Sequence, residues 1–305
     1  MIHSAGGDIK CRPLDRISNF RDVGRAINHI VGREVLHEGR LFRSARPDEA
    51  TDDDRHRLVH DYQITAIVDL RTKSEQIEQA RKRNERLPRP TQVVAAGSLR
   101  VPGVVHHEIN LNGGTFERQL FFRLPCWERA KVLVLMLLGY RMEAISVLAT
   151  QVLLPRGLIG LGRDSVDYCG DQIRQTFRLL ADASSYPIMI HCTQGKDRTG
   201  LIIALVLFLL DIPVDAISQD YTRSEAELEA EWDERLEEIR GIGLTEAFAR
   251  TPGDWVEKIH LHIRAKYGDI TAYLAGIGVD EQMQDQIQMN LLHVGAKGGK
   301  LSERI

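Results

Sequence analysis

Apolar and polar residues alternate along this chain in a pattern that predicts short strands separated by longer helices. The β-branched run over residues 64–69 predicts a buried strand, and residues 104–111 and 187–191 predict two more. A charged helix is predicted over residues 73–86, and a strongly apolar helix over residues 199–210. Strands that alternate with helices in this way are typical of an α/β fold with a central sheet.

Helix signals extend this pattern over most of the chain. Thr51 is followed by three aspartates, which is typical of a helix N-terminus, and another helix is predicted over residues 166–182. Further helices follow, starting with a charged, solvent-exposed helix over residues 224–239 in which we predict no catalytic group. We therefore expect one three-layer α/β domain over residues 1–294, with a mainly parallel sheet flanked by helices, and a flexible tail over residues 295–305.

A helical insertion is predicted over residues 116–160, which are more apolar than a crossover between strands requires. Two interpretations are open: extra core, or a lid that covers the active site and presents apolar surface to substrate or membrane. The most apolar runs, 132–138 and 201–210, are much shorter than the ~20 residues needed to span a bilayer. Both are predicted to be buried helices.

Composition and charge narrow the functional classes. The 40 Lys and Arg against 43 Asp and Glu give a net charge of -3, which is atypical of nucleic-acid-binding or membrane-surface proteins. The four cysteines form no C-x-x-C pair, which argues against a zinc knuckle or a disulfide framework and favours the reducing cytoplasm. The N-terminus has no secretory signal pattern. We expect a cytoplasmic protein with no stable membrane insertion.

The candidate chemistry lies in residues 191–200, His-Cys-Thr-Gln-Gly-Lys-Asp-Arg-Thr-Gly, between the third strand and the apolar helix. Backbone N–H groups and the helix dipole at such a junction bind phosphate, and the same field favours the thiolate of Cys192 as a nucleophile. The planar guanidinium of Arg198 can hold two phosphate oxygens. The remaining predicted phosphate-binding residues are Thr193, Gln194, Gly195, Lys196 and Thr199.

Other interpretations of this loop explain less. A buried, inert Cys192 does not account for the adjacent Lys196 and Arg198, and a Walker-type nucleotide loop would need Ser or Thr where Asp197 stands. A sulfur transferase would not require Arg198 at this spacing. Lys196 and Arg198 together exceed the charge that one phosphate needs, which favours polyphosphorylated substrates; alternatively, Lys196 points outward and pairs with an acidic neighbour.

The loop resembles the phosphate-binding loop of protein tyrosine phosphatases, in the form found in atypical enzymes of bacteria and fungi, some of which also hydrolyse phosphoinositides. The resemblance implies a phosphocysteine intermediate on Cys192, hydrolysed by water, with the Thr199 hydroxyl helping the thiolate to leave. It is weakest over residues 116–160. It extends to residues 19–24, 39–44 and 67–71, to Asp220-Tyr221 and Ser224, and to Tyr267-Gly268 and Tyr273-Leu274.

The sequence contains three candidates for the general acid, because the Trp-Pro-Asp motif that provides it in most tyrosine phosphatases is missing. Asp197 ranks first, since the resembling enzymes have an aspartate there; otherwise it caps the helix or pairs with a cation. Asp69 is a second candidate at a strand end, unless it pairs with Arg71. Asp167 occupies the place of a movable acid loop, but is better interpreted as a helix N-terminal residue.

Histidines give no metal site by their spacing. His56 and His60 are four apart, yet Arg57 stands where a metalloprotease has glutamate, and neighbouring His106 and His107 point to opposite faces of a strand. His191 is expected to orient the loop by hydrogen bonding. We predict no metal and no cofactor.

The sequence thus predicts a cysteine-dependent phosphatase that acts on phosphotyrosine proteins and on phosphoinositides. One alternative is a catalytically silent module that binds phosphorylated ligands. Another is a lipid-specific phosphoinositide phosphatase recruited by residues 116–160, and transient lipid contact is expected only in that region. No nucleic-acid partner is expected.

Overall fold

A computed structural model describes residues 14–86 and 100–293 of the protein. Two predictions lie outside the described residues: the flexible tail over residues 295–305 and the lack of a secretory signal at the N-terminus. The strands are β1 (Arg21–Asp22), β2 (Leu41–Ser44), β3 (Ala66–Asp69), β4 (Val105–Glu108) and β5 (Ile188–His191). The helices are α1 (Val23–Val31), α2 (Asp52–His60), α3 (Lys73–Arg86), α4 (Gly114–Arg123), α5 (Cys126–Leu137), α6 (Arg141–Leu148), α7 (Leu154–Tyr168), α8 (Gly170–Ala181), α9 (Asp197–Leu209), α10 (Val214–Glu227), α11 (Trp232–Gly241), α12 (Trp255–Tyr267), α13 (Ile270–Gly276) and α14 (Glu281–Leu291).

The sheet has five strands in the order β1-β2-β5-β3-β4, and only the β1-β2 pairing is antiparallel. The predicted α/β fold with a mainly parallel sheet flanked by helices is therefore confirmed. β5 lies between β2 and β3, with His191 paired in register to Ser44 on one side and to Asp69 on the other. Because parallel strands end at the same edge, the residue that follows His191 is placed in the middle of that edge.

Both faces of the sheet are covered, which explains why β2, β3 and β5 are buried at every position. Val68 and Ile190 belong to the larger core, which includes all of the apolar side chains of α9. Ile67 and Met189 point the other way, into a smaller core with Leu58 of α2. Successive residues alternate between the two cores because side chains in a strand alternate between faces.

Local sequence signals located several elements well. Thr51 caps α2 in a capping box with Asp54, and α3 has the predicted bounds. The predicted helix over residues 166–182 is divided at Cys169 into the end of α7 and α8. The predicted solvent-exposed helix over residues 224–239 was wrong in part, since Ser224 and Arg235 are buried.

The helical insertion combines two kinds of surface. Its inner side chains, including Phe116, Leu120 and Val132, join the larger core. The run from 133 to 138 is largely exposed, so the prediction of a buried helix there was wrong, whereas it is confirmed for residues 201–210. Which of the two surfaces a helix has depends on what packs against it, and an apolar run does not specify its partner.

Within the described residues, Arg141–Tyr168 is the one stretch long and apolar enough to cross a membrane by length and composition. Its geometry does not favour spanning. Gly157 interrupts it with non-helical backbone angles, and the buried Asp164 receives ion pairs from Arg123 and Arg156. The stretch thus connects the end of the insertion to the core helix α8.

Candidate active site

The loop over residues 192–196 connects β5 to α9 at the carboxyl edge of the sheet. Cys192 is buried, and residues just beyond the ends of the two flanking strands hold its neighbours: the Leu70 N–H donates to the His191 carbonyl at 2.9 Å, and the Arg46 N–H donates to the Thr193 carbonyl at 3.1 Å. α9 begins directly after the loop, so its N-terminal dipole and N–H groups lie beside Cys192. This placement is suited to an anion and to a thiolate.

Gly195 makes the turn of the loop. Its φ is +66°, in the left-handed region, and a Cβ built there would lie 2.1 Å from the Ser44 carbonyl oxygen. The space that a side chain would enter is thus occupied by the backbone of β2. The close approach lets the loop pack directly on the end of β2.

Arg198 is held by a residue that the sequence analysis missed, Glu75. Nη1 and Nη2 of Arg198 donate to Oε2 and Oε1 of Glu75 at 2.7 and 2.5 Å. Burial would raise the pKa of Glu75, but the hydrogen bonds and charge of Arg198 lower it to about 2. Glu75 also accepts from Thr193 Oγ1 at 2.8 Å and from the Thr72 N–H at 2.9 Å. It therefore links the start of α3 to the loop.

The signal for Glu75 was present in part. Thr72 and Glu75 have the T-x-x-E spacing of a capping box, and the Glu75 N–H donates to Thr72 Oγ1 at 3.2 Å. That spacing predicts only the cap. The second contact, to Arg198, depends on the parallel pairing of β3 with β5, which brings the start of α3 to the loop.

Lys196 does not face a ligand site. Its ammonium group is fully buried and donates to Asp197 Oδ1 at 2.8 Å, to the Arg250 carbonyl at 2.9 Å and to the Phe248 carbonyl at 3.5 Å. These three contacts match the three donors of an ammonium group. Of the two interpretations of Lys196, pairing with an acidic neighbour is correct, although the side chain points inward and not outward.

Asp197 is the first residue of α9 and follows Lys196, which occupies the N-cap position. Its partner is Lys196, and its side chain remains 41% exposed. The carboxyl group is thus partly open to solvent. Burial would lower the pKa of Arg198, but its hydrogen bonds with Glu75 raise it. Arg198 also lies close enough to both Cys192 and Asp197 for their charges to raise its pKa further.

The two other acid candidates are engaged elsewhere. Asp69 accepts from Arg71 Nη2 at 2.8 Å, and Arg71 also binds Asp48. Burial would raise the pKa of Asp69, but the neighbouring His191 and the Arg71 hydrogen bonds lower it to about 2, so Asp69 is not suited to donate a proton. Pairing with Arg71, the alternative role, is what the structure shows.

Asp167 lies near the end of α7, and not at a helix N-terminus as predicted. It accepts hydrogen bonds from His262 and Tyr267 and pairs with Lys266 at 2.9 Å. These contacts connect α7 to α12 and engage the carboxylate of Asp167.

His191 makes the expected loop contact, with Nδ1 3.1 Å from the Cys192 carbonyl oxygen, and burial lowers the pKa of His191.

A buried ion-pair network supports the loop from behind. Arg43 Nη1 donates to Asp220 Oδ2 at 2.6 Å, while Arg43 Nη2 donates to the Gly195 carbonyl at 2.8 Å. Arg21 Nε donates to Asp220 Oδ1 at 2.7 Å. Asn19 Nδ2 reaches the Gln194 carbonyl at 2.9 Å. The motifs around residues 19–24, 39–44 and 220–224 therefore meet at the loop.

The network alters the charges behind the loop. Burial and repulsion by Arg21 lower the pKa of Arg43 to about 10 despite its bond to Asp220. Burial would raise the pKa of Asp220, but Arg21 and Arg43 lower it to about 2. The two guanidinium groups and one carboxylate leave a net positive charge, which favours an anion at the loop.

The hydroxyl of Thr199 is buried and, among the described residues, has no hydrogen-bond partner. It belongs to the first turn of α9, seven positions after Cys192. A free hydroxyl there can donate to a thiolate or to a phosphate oxygen.

No group of three or more His, Cys, Asp or Glu side chains suited to a metal occurs within residues 14–86 and 100–293.

The sequence was also compared with known proteins. The profile of the tyrosine phosphatase family matches residues 12–293. A tyrosine-protein phosphatase of Nostoc commune is 31% identical over 154 residues, which cover 44% of this chain and 50% of the relative. A triple specificity protein phosphatase of Mycobacterium tuberculosis is 26% identical over 125 residues, 36% of this chain and 45% of the relative. An inositol diphosphatase of Oryza sativa is 30% identical over 70 residues, 23% of this chain and 32% of the relative. The matches thus span half or less of these relatives.

Proposed function

Because this chain belongs to the tyrosine phosphatase family, we propose that it hydrolyses phosphate monoesters in two steps through a phosphocysteine on Cys192. The observation on which this rests is the position of Cys192, directly after the central strand β5 and at the start of the short loop that leads to the N-terminus of α9. The charge for binding the phosphate dianion comes from Arg198, the loop N–H groups and the helix dipole. These groups require no metal or cofactor.

In the first step, the Cys192 thiolate attacks phosphorus, forming the S–P bond as the bond to the ester oxygen breaks. We assign the proton that the ester oxygen takes to the carboxyl group of Asp197, at the start of α9, whose side chain is 41% exposed although it also pairs with Lys196. Thr193, Gln194 and Gly195 supply backbone N–H groups to the cradle, and the guanidinium of Arg198 binds two equatorial oxygens.

In the second step, a water oxygen attacks phosphorus and the S–P bond breaks. The Asp197 carboxylate accepts a proton from the water, and inorganic phosphate is released. The free hydroxyl of Thr199 donates a hydrogen bond to the departing Cys192 thiolate. Each step is thus balanced, with Asp197 returning to its protonated form.

The test compares the parent protein with Cys192→Ser on an aryl phosphate, in the presence of a chelator. We expect turnover by the parent and none by the variant, with a labelled phosphoenzyme trapped only in the parent after acid quenching. A parent that binds vanadate but turns over neither aryl nor inositol phosphates would instead be a silent binding module.

We propose phosphotyrosine proteins and phosphoinositides as the substrate classes. The names of the relatives support both, since they include a tyrosine-protein phosphatase and an inositol diphosphatase. Lys196 gives no support for a second phosphate subsite, because its ammonium group is buried and fully bonded. The ratio of kcat/KM for a phosphotyrosine peptide and for a soluble inositol phosphate tests this proposal, and a value far from unity would assign one class.

We also propose a cytoplasmic location. Cys126, Cys169 and Cys192 are free thiols, and the proposed mechanism needs a reduced Cys192. Activity that is lost on mild peroxide treatment and restored by a thiol reductant would agree with a reactive Cys192 that needs a reducing compartment. Full activity after oxidation would argue against a reactive thiol.

A further inference from the structure

The insertion exposes a concentrated apolar surface. We define the apolar hairpin as residues 122–142, which include α5, the following turn and the start of α6. Leu137 is 87% exposed, Trp127 66% and Leu133 60%. Most of the exposed large apolar side chains of the described residues belong to this hairpin: Phe122, Trp127, Leu133, Val134, Met136, Leu137, Leu138, Tyr140 and Met142.

The exposed side chains extend around the helix and do not form one stripe. At about 100° per residue, positions 133, 134, 136, 137 and 138 cover an arc of roughly 200°. The apolar stripe of a helix on the surface of a globular protein is of the order of 100° wide, whereas an apolar surface that extends further around a helix is typical of a core helix or of a segment in lipid. A groove on a protein partner would leave part of this surface in water. A fluid hydrocarbon layer can surround it.

The charges of the hairpin complement an anionic surface. It contains four cations: Arg123 pairs with Asp164 and Lys131 with the buried Glu128, while Arg129 and Arg141 add positive charge, although the whole chain has a net charge of -3. Arg129 and Lys131 precede Leu137 by eight and six residues, which is about 9–12 Å along the helix axis. That separation is similar to the ~5–10 Å to which interfacial segments enter a bilayer. The cations would thus lie at the headgroups.

Trp127 and Tyr140 add the aromatic groups that are enriched at membrane interfaces. The hairpin also lies beside the active-site loop. Arg141 Nη2 donates to Ser74 Oγ at 2.8 Å, and Ser74 is adjacent to Glu75, the partner of Arg198. Contact with a membrane through the hairpin would therefore bring the cradle close to the lipid headgroups.

From the arc, the charges and the position of this surface, we propose that the apolar hairpin docks the protein onto anionic phospholipid membranes. The tip around Leu137 and Leu138 enters the acyl region, while Arg129 and Lys131 contact the phosphates. Docking does not depend on the phosphatase activity proposed above.

The experiment is sedimentation with vesicles of phosphatidylcholine, alone or with about one third phosphatidylserine. The parent should bind the mixed vesicles and release at high salt. In Leu133→Ser/Leu137→Ser/Leu138→Ser, we expect the partition coefficient to fall about tenfold or more. The matched control Leu261→Ser/Met289→Ser removes two exposed apolar side chains elsewhere and should bind like the parent. Lys131→Gln should weaken binding to the mixed vesicles only.

Three results would overturn the proposal. The parent could fail to bind either vesicle, or the triple variant could bind as well as the parent. Light scattering could also show a dimer that the triple variant abolishes, without vesicle binding, which would make the hairpin an interface between copies. Hydrolysis of a soluble aryl phosphate should be equal in the parent and the triple variant. If neither the parent nor the triple variant hydrolysed the aryl phosphate, the proposed function would be contradicted. The docking proposal would still be decided by sedimentation.

Discussion

The guanidinium of Arg198 and the carboxylate of Glu75 form a two-pronged ion pair, with N–O distances of 2.7 and 2.5 Å. Glu75 is fixed in turn by the N–H of Thr72 and by Thr193 Oγ1. The pair orients the guanidinium at the loop before any phosphate binds. Because bidentate bonds fix the plane of a guanidinium, Glu75 is a positioning residue for Arg198.

We expect Glu75→Gln to lower kcat on an aryl phosphate by about tenfold or more, with a smaller change in KM, since misplacement of Arg198 weakens mainly the transition-state contacts. The control is Glu78→Gln, on the same helix, whose exposed carboxylate pairs with Arg81. Steady-state kinetics check both. An unchanged kcat in Glu75→Gln would show that Arg198 does not need this partner.

If Asp197 is the general acid, the effect of its substitution on the rate should depend on the leaving group. We expect Asp197→Asn to lower the rate about a hundredfold for an alkyl or phenyl phosphate, because a basic leaving oxygen needs a proton. For p-nitrophenyl phosphate the loss should be much smaller. Asp167→Asn, whose carboxylate lies among His262, Tyr267 and Lys266, is the control and should show no dependence on the leaving group. Equal losses for all leaving groups would exclude Asp197 as the acid.

The fold was predictable where the signal is local. The capping box at Thr51, the β-branched run of β3 and the apolar helix α9 each depend on neighbouring residues. β2 was not predicted, because Arg43 and Ser44 are polar, and the burial of Arg43 depends on its ion pair with Asp220, far along the chain.

The site was predictable as a loop but not as a set of contacts. The spacing of Cys192 and Arg198 indicates phosphate chemistry, whereas the direction of Lys196 depends on carbonyl groups of Phe248 and Arg250, more than fifty residues later. The exposed run at 133–138 was assigned to the core for a related reason. Apolar composition predicts burial, but whether anything covers a helix is a property of the whole fold.

Gly195 should tolerate no side chain. We expect Gly195→Ala to lower the free energy of unfolding by about 3 kcal/mol or more, because the added Cβ meets the backbone of Ser44 as well as an unfavourable φ. Gly32→Ala is the matched control, since Gly32 has a φ of +74° with nothing within 4 Å of an added Cβ. It should cost only about 1–2 kcal/mol. Urea unfolding measures both, and equal losses would show that the contact with Ser44 is relieved by a small shift.

The free energy of unfolding should depend on pH through the carboxylate of Asp220. Although burial alone would raise its pKa, Arg21 and Arg43 lower it to about 2, below the value of about 3.9 for an unfolded chain. The carboxylate therefore stabilises the fold fully above pH ~4, and this contribution, roughly 2–3 kcal/mol, is lost as the pH falls towards 2.

The variant Asp220→Asn leaves two buried guanidinium groups without a counter-charge, so we expect it to be less stable than the parent by about 3–5 kcal/mol at pH 7. The difference in free energy of unfolding should narrow between pH 5 and pH 2, because only the parent loses the contribution of Asp220 there. Urea unfolding across this range is the measurement, with the exposed Asp215→Asn on the same helix as control. A difference that stays constant with pH would mean that Asp220 titrates in the folded protein as it does in the unfolded chain.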